Sequence, residues 1–470
     1  MQLDETQFET FVFGVGIGIG ACVLAMAAVV RPSKASATQR AAKEPLLKTA
    51  VHREPLLSTE ERLVARLSSQ FNLSTDTLVR IQRQIIVDMK RGLAVDNGAI
   101  KMLPTHVTHR PKGTERGSYL ALDLGGTNFR VCEVTFDGVG NASMLQKKFK
   151  IEDAVKTGDG EALFDFIAEC VKIFLVENHG SQEGAKLVES RKWQLGFCFS
   201  FPVNQVSIDE GSLLVWTKGF TASNVVGVNV VKLLQDAFKR QNLNIAVSAL
   251  VNDTTGTLIS LAYTKPNTYA GVILGTGSNC AYVEKVANIE KLHGPREGLD
   301  EMLINMEWGG FDDAQVVIPR TKWDHALDSN TPTPGTWTFE QLISGMYLGE
   351  VVRLVCVDLA ETGELFAKCK LSKEMRTIYA FDTAYMSAIE SDHTHDLADT
   401  KSILEDKLHM PGSTLVDRRI LRTICALVGT RSARLAACGV AAVVCKMNKL
   451  SEGCIVGMDG SLFELYPYYK

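Results

Sequence analysis

The sequence lacks the cysteine patterns of a disulfide framework and of a zinc knuckle. Its eleven cysteines are scattered from Cys22 to Cys454, their number is odd, and none of them forms a CxxC pair. This distribution favours a reducing compartment, where cysteines remain free thiols.

A strong excess of charge is also missing. Lys and Arg together number 50 and Asp and Glu 54, which leaves a formal net charge of −4. A weakly acidic chain without a basic block is a poor candidate for binding nucleic acid, so we expect no nucleic-acid partner. We also expect no obligate protein partner.

Two common nucleotide-binding loops are absent. No GxxxxGK[ST] pattern occurs in the chain, and no GxGxxG pattern opens a helix. The first absence excludes a P-loop, and the second argues against a dinucleotide site of the Rossmann type.

What remains is the composition of a folded protein. Of the 470 residues, 46% are apolar and 22% are charged. These fractions exclude a largely disordered chain, a collagen-like fibre and a coiled coil. The length predicts two or three domains, or one large two-lobed unit.

The N-terminal region has the pattern of a membrane anchor. Residues 11–30 are uncharged and almost wholly apolar, and as a helix they are long enough to span a bilayer. Six basic residues follow between Arg31 and Arg53, which predicts that the body of the protein lies in the cytosol. A buried helix at the start of the first domain is the alternative. Residues 31–58 are rich in Lys, Ala, Ser and Pro and are predicted to be a linker.

The body of the chain alternates strand and helix patterns. Helices are predicted for TEERLVARLSSQF and STDTLVRIQRQIIVDMKRGL, with Ser74 and Asp76 as candidate caps, and for TFEQLISGMYLGEVVRLVCVDLAE in the second half. Apolar strands are predicted for SYLALDLGG, NFRVCEVTF, QLGFCFSFP, AVSALVND and GVILGTG. Mixed strands and helices in this order indicate an α/β protein.

Three turns of small residues follow apolar strands and point to phosphate. They begin at Asp123, Gly275 and Asp459, and read DLGGTN, GTGSN and DGS. Small residues let backbone N–H groups approach an anion closely, and Asp123 is placed to orient a phosphate-bound Mg²⁺ through water. Each turn alone fits a simple hairpin, but the three together favour nucleotide binding.

Polar residues at other strand ends suit a polyol. They occur in the segments Ser200-Phe201-Pro202, Trp216-Thr217-Lys218-Gly219-Phe220, Asn252-Asp253-Thr254 and Glu307-Trp308-Gly309-Gly310. A sugar needs a dense set of donors and acceptors, because each hydroxyl that is left unpaired in a closed site carries a desolvation cost. Each residue alone fits a structural role, such as Asp253 capping the helix that follows it.

These segments resemble the motifs of eukaryotic hexokinases. LGFCFSFPVNQVSIDEGSLLVWTKGF is similar to the family's signature, and DLGGTNFR, LVNDTTGTL, ILGTGSNCAYVE, NMEWGGF, ISGMYLGE and VGMDGSLFELY occur in the family's order. The resemblance covers residues 60–470. Together with the N-terminal anchor, it is most similar to plant-type hexokinases, which often sit on the outer mitochondrial membrane.

The resemblance implies an actin-like ATPase fold (ribonuclease H-like), with two α/β lobes around a sugar and ATP cleft. The implied organisation is an anchor at 1–30, a linker at 31–58, N-terminal helices of the large lobe at 59–108, a small lobe at 109–248 and a large lobe at 249–470. The implied reaction is ATP-dependent phosphorylation of the C6 hydroxyl of glucose and related hexoses, the first step of glycolysis.

The family's residue roles carry over to matching positions. Asp253 is implied as the catalytic base, and Lys218 as the cation that offsets charge on the transferred phosphoryl group. The hexose is expected to contact Thr217, Lys218, Asn252, Asp253, Asn279, Glu307 and Glu340, with Ser200 and Phe201 lining the pocket. The nucleotide, ATP with Mg²⁺, is expected to lie near Asp123, Gly126, Thr127, Asn128, Thr276, Thr383, Ser387, Gly460 and Ser461. No residue is assigned as a direct metal ligand.

The sequence departs from the family in two places. Cys198 stands where the family usually has Thr or Asn, and we expect it to point away from the reacting end of the sugar with a modest effect. The sequence ends at Lys470, soon after the DGS turn, where the family continues with further helices. We therefore expect either a fragment or variant, or impaired adenine binding and lobe closure.

Two alternatives to an active hexokinase stay open at this point. One is a catalytically weak, glucose-sensing protein on the same scaffold. The other is an actin-like or chaperone-like ATPase, which shares the phosphate turns but lacks the sugar residues around WTKGF and MEWGG.

Overall fold

The computed structural model describes residues 58–125, 128–180, 192–216, 219–294 and 296–470. The anchor predicted at 11–30 and the linker before Ser58 lie outside the described residues.

The described chain has two main hydrophobic cores. One core is formed by residues between Leu120 and Leu250, and we call this part the small lobe. The other contains residues between Leu63 and Met102 and between Ala270 and Tyr469, and we call this part the large lobe.

The large lobe contains a five-stranded sheet. Its strands are β1 (Leu103–Pro104), β9 (Thr268–Leu274), β10 (Ser278–Lys285), β11 (Glu301–Asn305) and β12 (Ile455–Asp459). They lie in the order β1-β11-β10-β9-β12. β12 runs parallel to β9, and β10 runs antiparallel to both β9 and β11. The ends of β9, β11 and β12 and the start of β10 therefore meet at one edge of the sheet.

The small lobe contains a second five-stranded sheet. Its strands are β2 (Arg116–Leu124), β3 (Asn128–Asp137), β4 (Ala142–Lys150), β5 (Trp193–Phe199) and β8 (Ile245–Val251). They lie in the order β4-β3-β2-β5-β8. β6 (Val203–Ser207) and β7 (Glu210–Leu213) form a separate hairpin. Because β2, β5 and β8 are parallel, the residues that follow them lie at the same edge. β8 contains the position of the domain boundary expected between 248 and 249, and it pairs within this sheet.

Helices surround both sheets. Those of the small lobe are Asp153–Lys156, Gly160–His179 and Val230–Arg240. The other α-helices are Thr59–Phe71, Thr75–Ala94, Asp253–Thr264, Lys322–Ser329, Thr338–Ile343, Gly345–Glu361, Lys373–Arg376, Thr383–Glu390, Ala398–Ser402, Leu415–Lys446 and Ser461–Leu465. Short 3-10 turns at Val286–Asn288 and Trp308–Gly310 and a π turn at Ile403–Lys407 complete the set.

Local sequence signals fix several helix starts. Ser74 is the N-cap of Thr75–Ala94, and its side chain accepts a hydrogen bond from the backbone N–H of Thr77, whereas Asp76 lies in the first turn. The predicted helical segment 338–361 consists of two helices separated by Ser344, which is extended. The break has a tertiary cause, because the N–H of Gly345 donates to the carbonyl of Gly275 at 2.8 Å.

The 32-residue helix Leu415–Lys446 is the central helix of the large-lobe core. Within the part of the chain that the structure describes, it alone is long and apolar enough to cross a membrane, and 56% of its most apolar window is buried inside the protein. Side chains such as Leu421, Val428 and Leu435 are fully buried against neighbouring elements.

Candidate active site

Asp253 lies at the edge of the small-lobe sheet, directly after β8. It is the first residue of the helix Asp253–Thr264, and the N-cap is Asn252, whose Oδ1 accepts from the N–H of Thr255 at 2.9 Å. The capping role considered for Asp253 therefore belongs to Asn252. One carboxylate oxygen of Asp253, Oδ1, accepts from the N–H of Thr254 at 2.7 Å and from its hydroxyl at 3.0 Å. These bonds orient the half-buried carboxylate.

A network of two amides and a carboxylate occupies the edge of the large-lobe sheet. The side-chain amide of Asn279 donates to Asn305 Oδ1 at 2.7 Å and to Glu307 Oε1 at 3.0 Å. Asn305 Nδ2 donates to the same Glu307 oxygen at 2.9 Å. The N–H of Glu307 in turn donates to Asn279 Oδ1 at 3.0 Å. The three side chains hold one another in a fixed arrangement suited to binding hydroxyl groups.

The Glu307 backbone is in the left-handed region, with φ 50 and ψ 59. A bulky residue other than glycine rarely adopts this conformation, and such strain concentrates at functional sites. The conformation turns the chain sharply after β11, so that Glu307 reaches Asn279 on the neighbouring strand.

Glu340 approaches the same edge from the helix Thr338–Ile343. Its carboxylate accepts from the N–H of Ser278 at 3.2 Å and from the Ser278 hydroxyl at 2.9 Å. Burial raises the pKa of Glu340 to about 7, and the Glu307 carboxylate contributes to the increase. The structure therefore brings the two expected hexose carboxylates, Glu307 and Glu340, close to one another.

The signature segment around Ser200 is fixed by aromatic packing. Phe201 is 5% exposed, and its ring lies 4.8 Å from that of Trp216 and 5.2 Å from that of Phe220. The indole N–H of Trp216 donates to the carbonyl of Ala222 at 2.8 Å. This cluster anchors both ends of the WTKGF loop. Thr217 and Lys218, which lie within that loop, are outside the described residues.

Cys198 is fully buried in the middle of the small-lobe sheet. It pairs with Asp123 on β2 and with Val251 on β8. Its sulfur lies 3.9 Å from the hydroxyl of Ser200. The thiol thus borders the segment that carries Ser200 and is shielded from solvent.

Two of the predicted phosphate turns pack against each other. The turn at Gly275 and Thr276 follows β9, and its Thr276 is exposed. Gly460 has φ 111, and a Cβ at this position would lie 2.4 Å from the carbonyl oxygen of Leu274. Only glycine fits this close approach, which brings Gly460 and Ser461 beside the turn that carries Thr276.

Charges from both lobes meet next to these turns. Burial, together with the nearby Asp253 carboxylate, raises the pKa of Asp459 to about 6, although the N–H of Gly460 and the Arg130 guanidinium oppose the increase. Asp253 follows the small-lobe sheet, Arg130 lies on β3, and Asp459 ends β12. The catalytic carboxylate expected from the sequence therefore faces the predicted phosphate region.

The first phosphate turn is described only in part. Asp123 is 2% exposed near the end of β2, opposite Arg130 on β3. Asn128 begins β3. Gly126 and Thr127, two of the expected nucleotide contacts, lie outside the described residues.

Thr383 and Ser387 lie on one helix, Thr383–Glu390. The Thr383 hydroxyl accepts from the N–H of Gly349 at 3.0 Å and donates to the carbonyl of Gly345. The Ser387 hydroxyl donates to the carbonyl of Leu465 at 3.4 Å. In this structure both hydroxyls connect elements of the large lobe.

The donor set fits a metal that is carried by the nucleotide. Within the described ranges, no group of three or more His, Cys, Asp or Glu side chains has the arrangement of a metal site. Instead, the buried Asp459 carboxyl lies near Asp253 and ends the strand before a phosphate turn, where a divalent cation on phosphates would interact with both carboxylates.

Sequence reasoning missed three residues of the site. Ser278 and Asn305 hold Glu340 and Glu307, and Arg130 is the buried cation that faces Asp459. All three lie within or beside the recognised motifs, at GTGSN, INMEWGG and DLGGTNFR. Their place in these motifs gives no sign of which side chains they hold, because those contacts form only in the folded structure.

The comparisons with known proteins agree with this geometry. A family model described as Hexokinase matches residues 63–263, and a second with the same description matches residues 269–470. The chain is 44% identical to Hexokinase-1 of Schizosaccharomyces pombe, over 86% of this chain and 82% of that protein. It is 41% identical to Hexokinase-1 of Nicotiana tabacum, over 84% of this chain and 80% of that protein.

A solved structure has the same two-lobed fold. The hexokinase from Schistosoma mansoni complexed with glucose superimposes with a TM-score of 0.79 at 36% identity, covering 88% of this chain and 91% of that chain. The two-lobed actin-like architecture expected from the sequence is therefore confirmed. With both family models matched and curated relatives aligned over most of their length, this chain belongs to the hexokinase family and is a hexose phosphotransferase.

Proposed function

We propose that this chain transfers the γ-phosphoryl group of ATP to the C6 hydroxyl of glucose and related hexoses. The observation that carries the proposal is a pair of arrangements: Thr254 orients the Asp253 carboxylate near Asp459, and the Asn279–Asn305–Glu307 network lies at the edge of the large-lobe sheet. The glucose bound in the Schistosoma mansoni relative supports the choice of sugar.

Asp253 acts as the general base in this reaction. As the C6 oxygen attacks the γ-phosphorus, its proton passes to the Asp253 carboxylate, and the bond between the γ-phosphorus and the bridging oxygen breaks to release ADP. The Oδ1 atom of Asp253 accepts two hydrogen bonds from Thr254. Its Oδ2 atom makes no hydrogen bond to the described residues, so Oδ2 is the oxygen that receives the proton. Lys218 would offset the charge that develops on the transferred group.

The remaining site residues divide between sugar and nucleotide. Glu307, Glu340, Asn252 and Asn279 bind the hexose hydroxyls together with Thr217, and Ser200 and Phe201 shape the pocket wall. The backbone of the turns at Gly126, Thr127 and Asn128, at Thr276, and at Gly460 and Ser461 binds the phosphates of ATP. Thr383 and Ser387 support the nucleotide side from their helix.

Mg²⁺ bound to ATP neutralises phosphate charge during the transfer. Asp123 and Asp459 are the carboxylates of this chain that would orient it, because both are buried next to the phosphate turns. The lobes would exclude water from the closed cleft, which favours the sugar over water as the acceptor.

A coupled assay tests the proposed reaction directly. The full chain is incubated with ATP, Mg²⁺ and glucose, and the formation of glucose 6-phosphate is followed. Turnover that requires all three components supports the proposal. Tight glucose binding without turnover would contradict it and would favour a sugar-sensing protein.

We also propose that residues 11–30 anchor the protein in a membrane, with the catalytic body in the cytosol and the mitochondrial outer membrane as the site. The support is the uncharged length of this run and the basic residues that follow it. Deleting residues 1–30 should release the protein into the soluble fraction. Extraction of the full chain from membranes at alkaline pH would contradict the anchor.

A further inference from the structure

Trp337 has an unusual backbone conformation beside the hexose carboxylates. Its φ is 62 and its ψ is 34, and it directly precedes the helix Thr338–Ile343 that carries Glu340. A bulky side chain rarely adopts this left-handed region, because its Cβ comes too close to the following carbonyl oxygen. The turn is held in place by Asp313, whose Oδ1 accepts from the N–H of Thr338 at 2.8 Å.

The indole ring of Trp337 fills the space over Gly309. A Cβ on Gly309 would lie 2.9 Å from Cε3 of Trp337 and 3.2 Å from Cβ of Glu340. Gly309 lies two residues after Glu307, in the turn Trp308–Gly310. The ring therefore packs between the turn that follows Glu307 and the helix that carries Glu340.

Trp337 also lines a cavity that reaches Glu307. It shares with Glu307 the wall of a cavity of ≈ 630 Å³, and the small lobe supplies Pro202, Leu214 and Val215 on the other side. Trp337 is half-buried, so part of its ring is accessible to a molecule in this cavity.

The strand order of the large-lobe sheet indicates which part of the sugar the ring faces. Asp459 ends β12 and Glu307 follows β11, and these strands are three positions apart in the order β11-β10-β9-β12. That separation is about 14 Å at the usual strand spacing. Asp253 lies near the Asp459 end and receives the C6 proton. In a hexopyranose, C1 to C3 lie across the ring from C6, so this edge of the sugar faces Glu307 and Trp337.

We propose that Trp337 is a specificity-determining residue of the hexose site. Its indole forms an apolar wall along the C1–C3 edge of the sugar, and its packing against Gly309 positions the carboxylates of Glu307 and Glu340. Aromatic faces pack on the C–H groups of sugars but accept no hydrogen bond in the ring plane, so the wall favours one arrangement of hydroxyls at this edge. The inference rests on the proposed C6 phosphorylation, which fixes the orientation of the sugar.

The test compares three variants of the full chain: Trp337→Ala, Trp337→Gly and Trp337→Phe. Glycine removes the ring and also suits a positive φ, whereas alanine removes the ring and keeps the strain. The values of kcat and KM are measured for glucose, mannose and 2-deoxyglucose, and melting temperatures are recorded.

Both Trp337→Ala and Trp337→Gly should raise the KM for glucose about tenfold, a typical loss for one well-packed aromatic contact, with kcat changed less than about threefold. The preference for glucose over 2-deoxyglucose, as a ratio of kcat/KM, should fall about fivefold in both, and Trp337→Phe should restore most of it. A Trp337→Gly variant with the KM and sugar preference of the unchanged chain would overturn the proposal. So would losses in kcat that parallel the melting temperature for all three sugars.

A double-mutant cycle tests the contact with Gly309. Gly309→Ala should displace the indole and raise the KM for glucose, because the new Cβ would lie 2.9 Å from Cε3. In the Trp337→Gly background the same change should have a smaller effect, and what remains should come from Glu340, whose Cβ would lie 3.2 Å from the new Cβ. Additive effects on KM would overturn the positioning role.

The experiments distinguish an error in the proposed reaction from an error in the proposed role of Trp337. If the unchanged chain phosphorylates none of the three sugars, the proposed reaction is wrong. Calorimetric affinities for glucose and 2-deoxyglucose then decide the role of Trp337. Weaker and less selective binding in Trp337→Gly supports the role, and unchanged binding overturns it.

Discussion

In the large lobe, three polar side chains that are expected to bind the hexose hold one another, whereas at the phosphate end the charged side chains come from both lobes. Asn279, Asn305 and Glu307 form this network at one edge of the large-lobe sheet. In contrast, Asp459 belongs to the large lobe and Arg130 to the small lobe. The large-lobe part of the hexose site is therefore held by contacts within that lobe, whereas the phosphate end depends on how the lobes meet.

The largest expected effect of a single substitution is at Asp253, because its carboxylate serves the reaction more than the binding of the sugar. Asp253→Asn retains the size and an oxygen acceptor but removes the basicity, so kcat should fall about 10²–10⁴-fold. Turnover is measured by the coupled assay on folded protein. Asp76→Asn is the matched control, since Asp76 is an exposed acid in the first turn of another helix. If Asp253→Asn retains more than about a tenth of the original turnover, Asp253 is not the base.

A substitution at Glu307 tests the hexose end of the cleft without changing the phosphate end. Glu307→Ala removes charge-assisted hydrogen bonds worth about 1.5–3 kcal/mol, which should weaken glucose binding by about one to two orders of magnitude in calorimetry. Glu301→Ala, at the start of β11, should leave the affinity unchanged, because the Glu301 side chain is 41% exposed and its ion pair with Arg110 is as long as 3.7 Å. Equal affinities for Glu307→Ala and Glu301→Ala would remove Glu307 from the site.

The raised pKa of Glu340 predicts opposite effects of pH on binding and on stability. Below about pH 7 the carboxyl becomes protonated and accepts fewer hydrogen bonds, so glucose affinity should rise about tenfold from pH 6 to pH 8. Because the pKa in the folded state lies above its value in the unfolded chain, the stability from this group is greatest below about pH 4.5 and is lost as the pH rises through about 7.

Glu340→Gln provides the control for both effects, since it removes the titration. Its melting temperature relative to the unchanged chain should increase from pH 5 to pH 8, and its glucose affinity should vary little over this range. An equally steep pH dependence of affinity in Glu340→Gln would assign the titration to another group.

The smallest expected effect on the KM for glucose is that of a substitution at Cys198. Its side chain is fully buried beside Ser200, so Cys198→Ser should change the KM for glucose less than about threefold. Cys170→Ser, a buried cysteine on a helix of the same lobe, serves as the control for stability. A tenfold change in KM with an unchanged melting temperature would place the Cys198 sulfur in direct contact with the sugar pocket.

The sequence predicts the parts of the site that depend on local pattern. Asp253, Glu307 and the glycine turns directly follow apolar strands, and strand ends of parallel strands meet at one edge. The partners that hold them are set by tertiary packing, so Ser278 below Glu340 and the close contact of Trp337 with Gly309 carry no local signal.

Helix boundaries also divide into those that the local sequence predicts and those that tertiary contacts determine. Ser74 precedes an amphipathic segment and caps it as the pattern predicts. At Asn252 and Asp253 either residue type suits a cap, and only the structure shows that Asn252 takes this role. The break at Ser344 arises from a hydrogen bond to the distant turn at Gly275, which no local propensity encodes.

The most direct test of the separation between the two ends is a calorimetric titration of glucose into Asp253→Asn in the absence of nucleotide. Because Asp253 takes no part in the hydrogen bonds that join Asn279, Asn305 and Glu307, the affinity should stay within about tenfold of that of the unchanged chain, while Glu307→Ala loses more. Loss of glucose binding in Asp253→Asn equal to that in Glu307→Ala would contradict a hexose end that is assembled independently of the catalytic carboxylate.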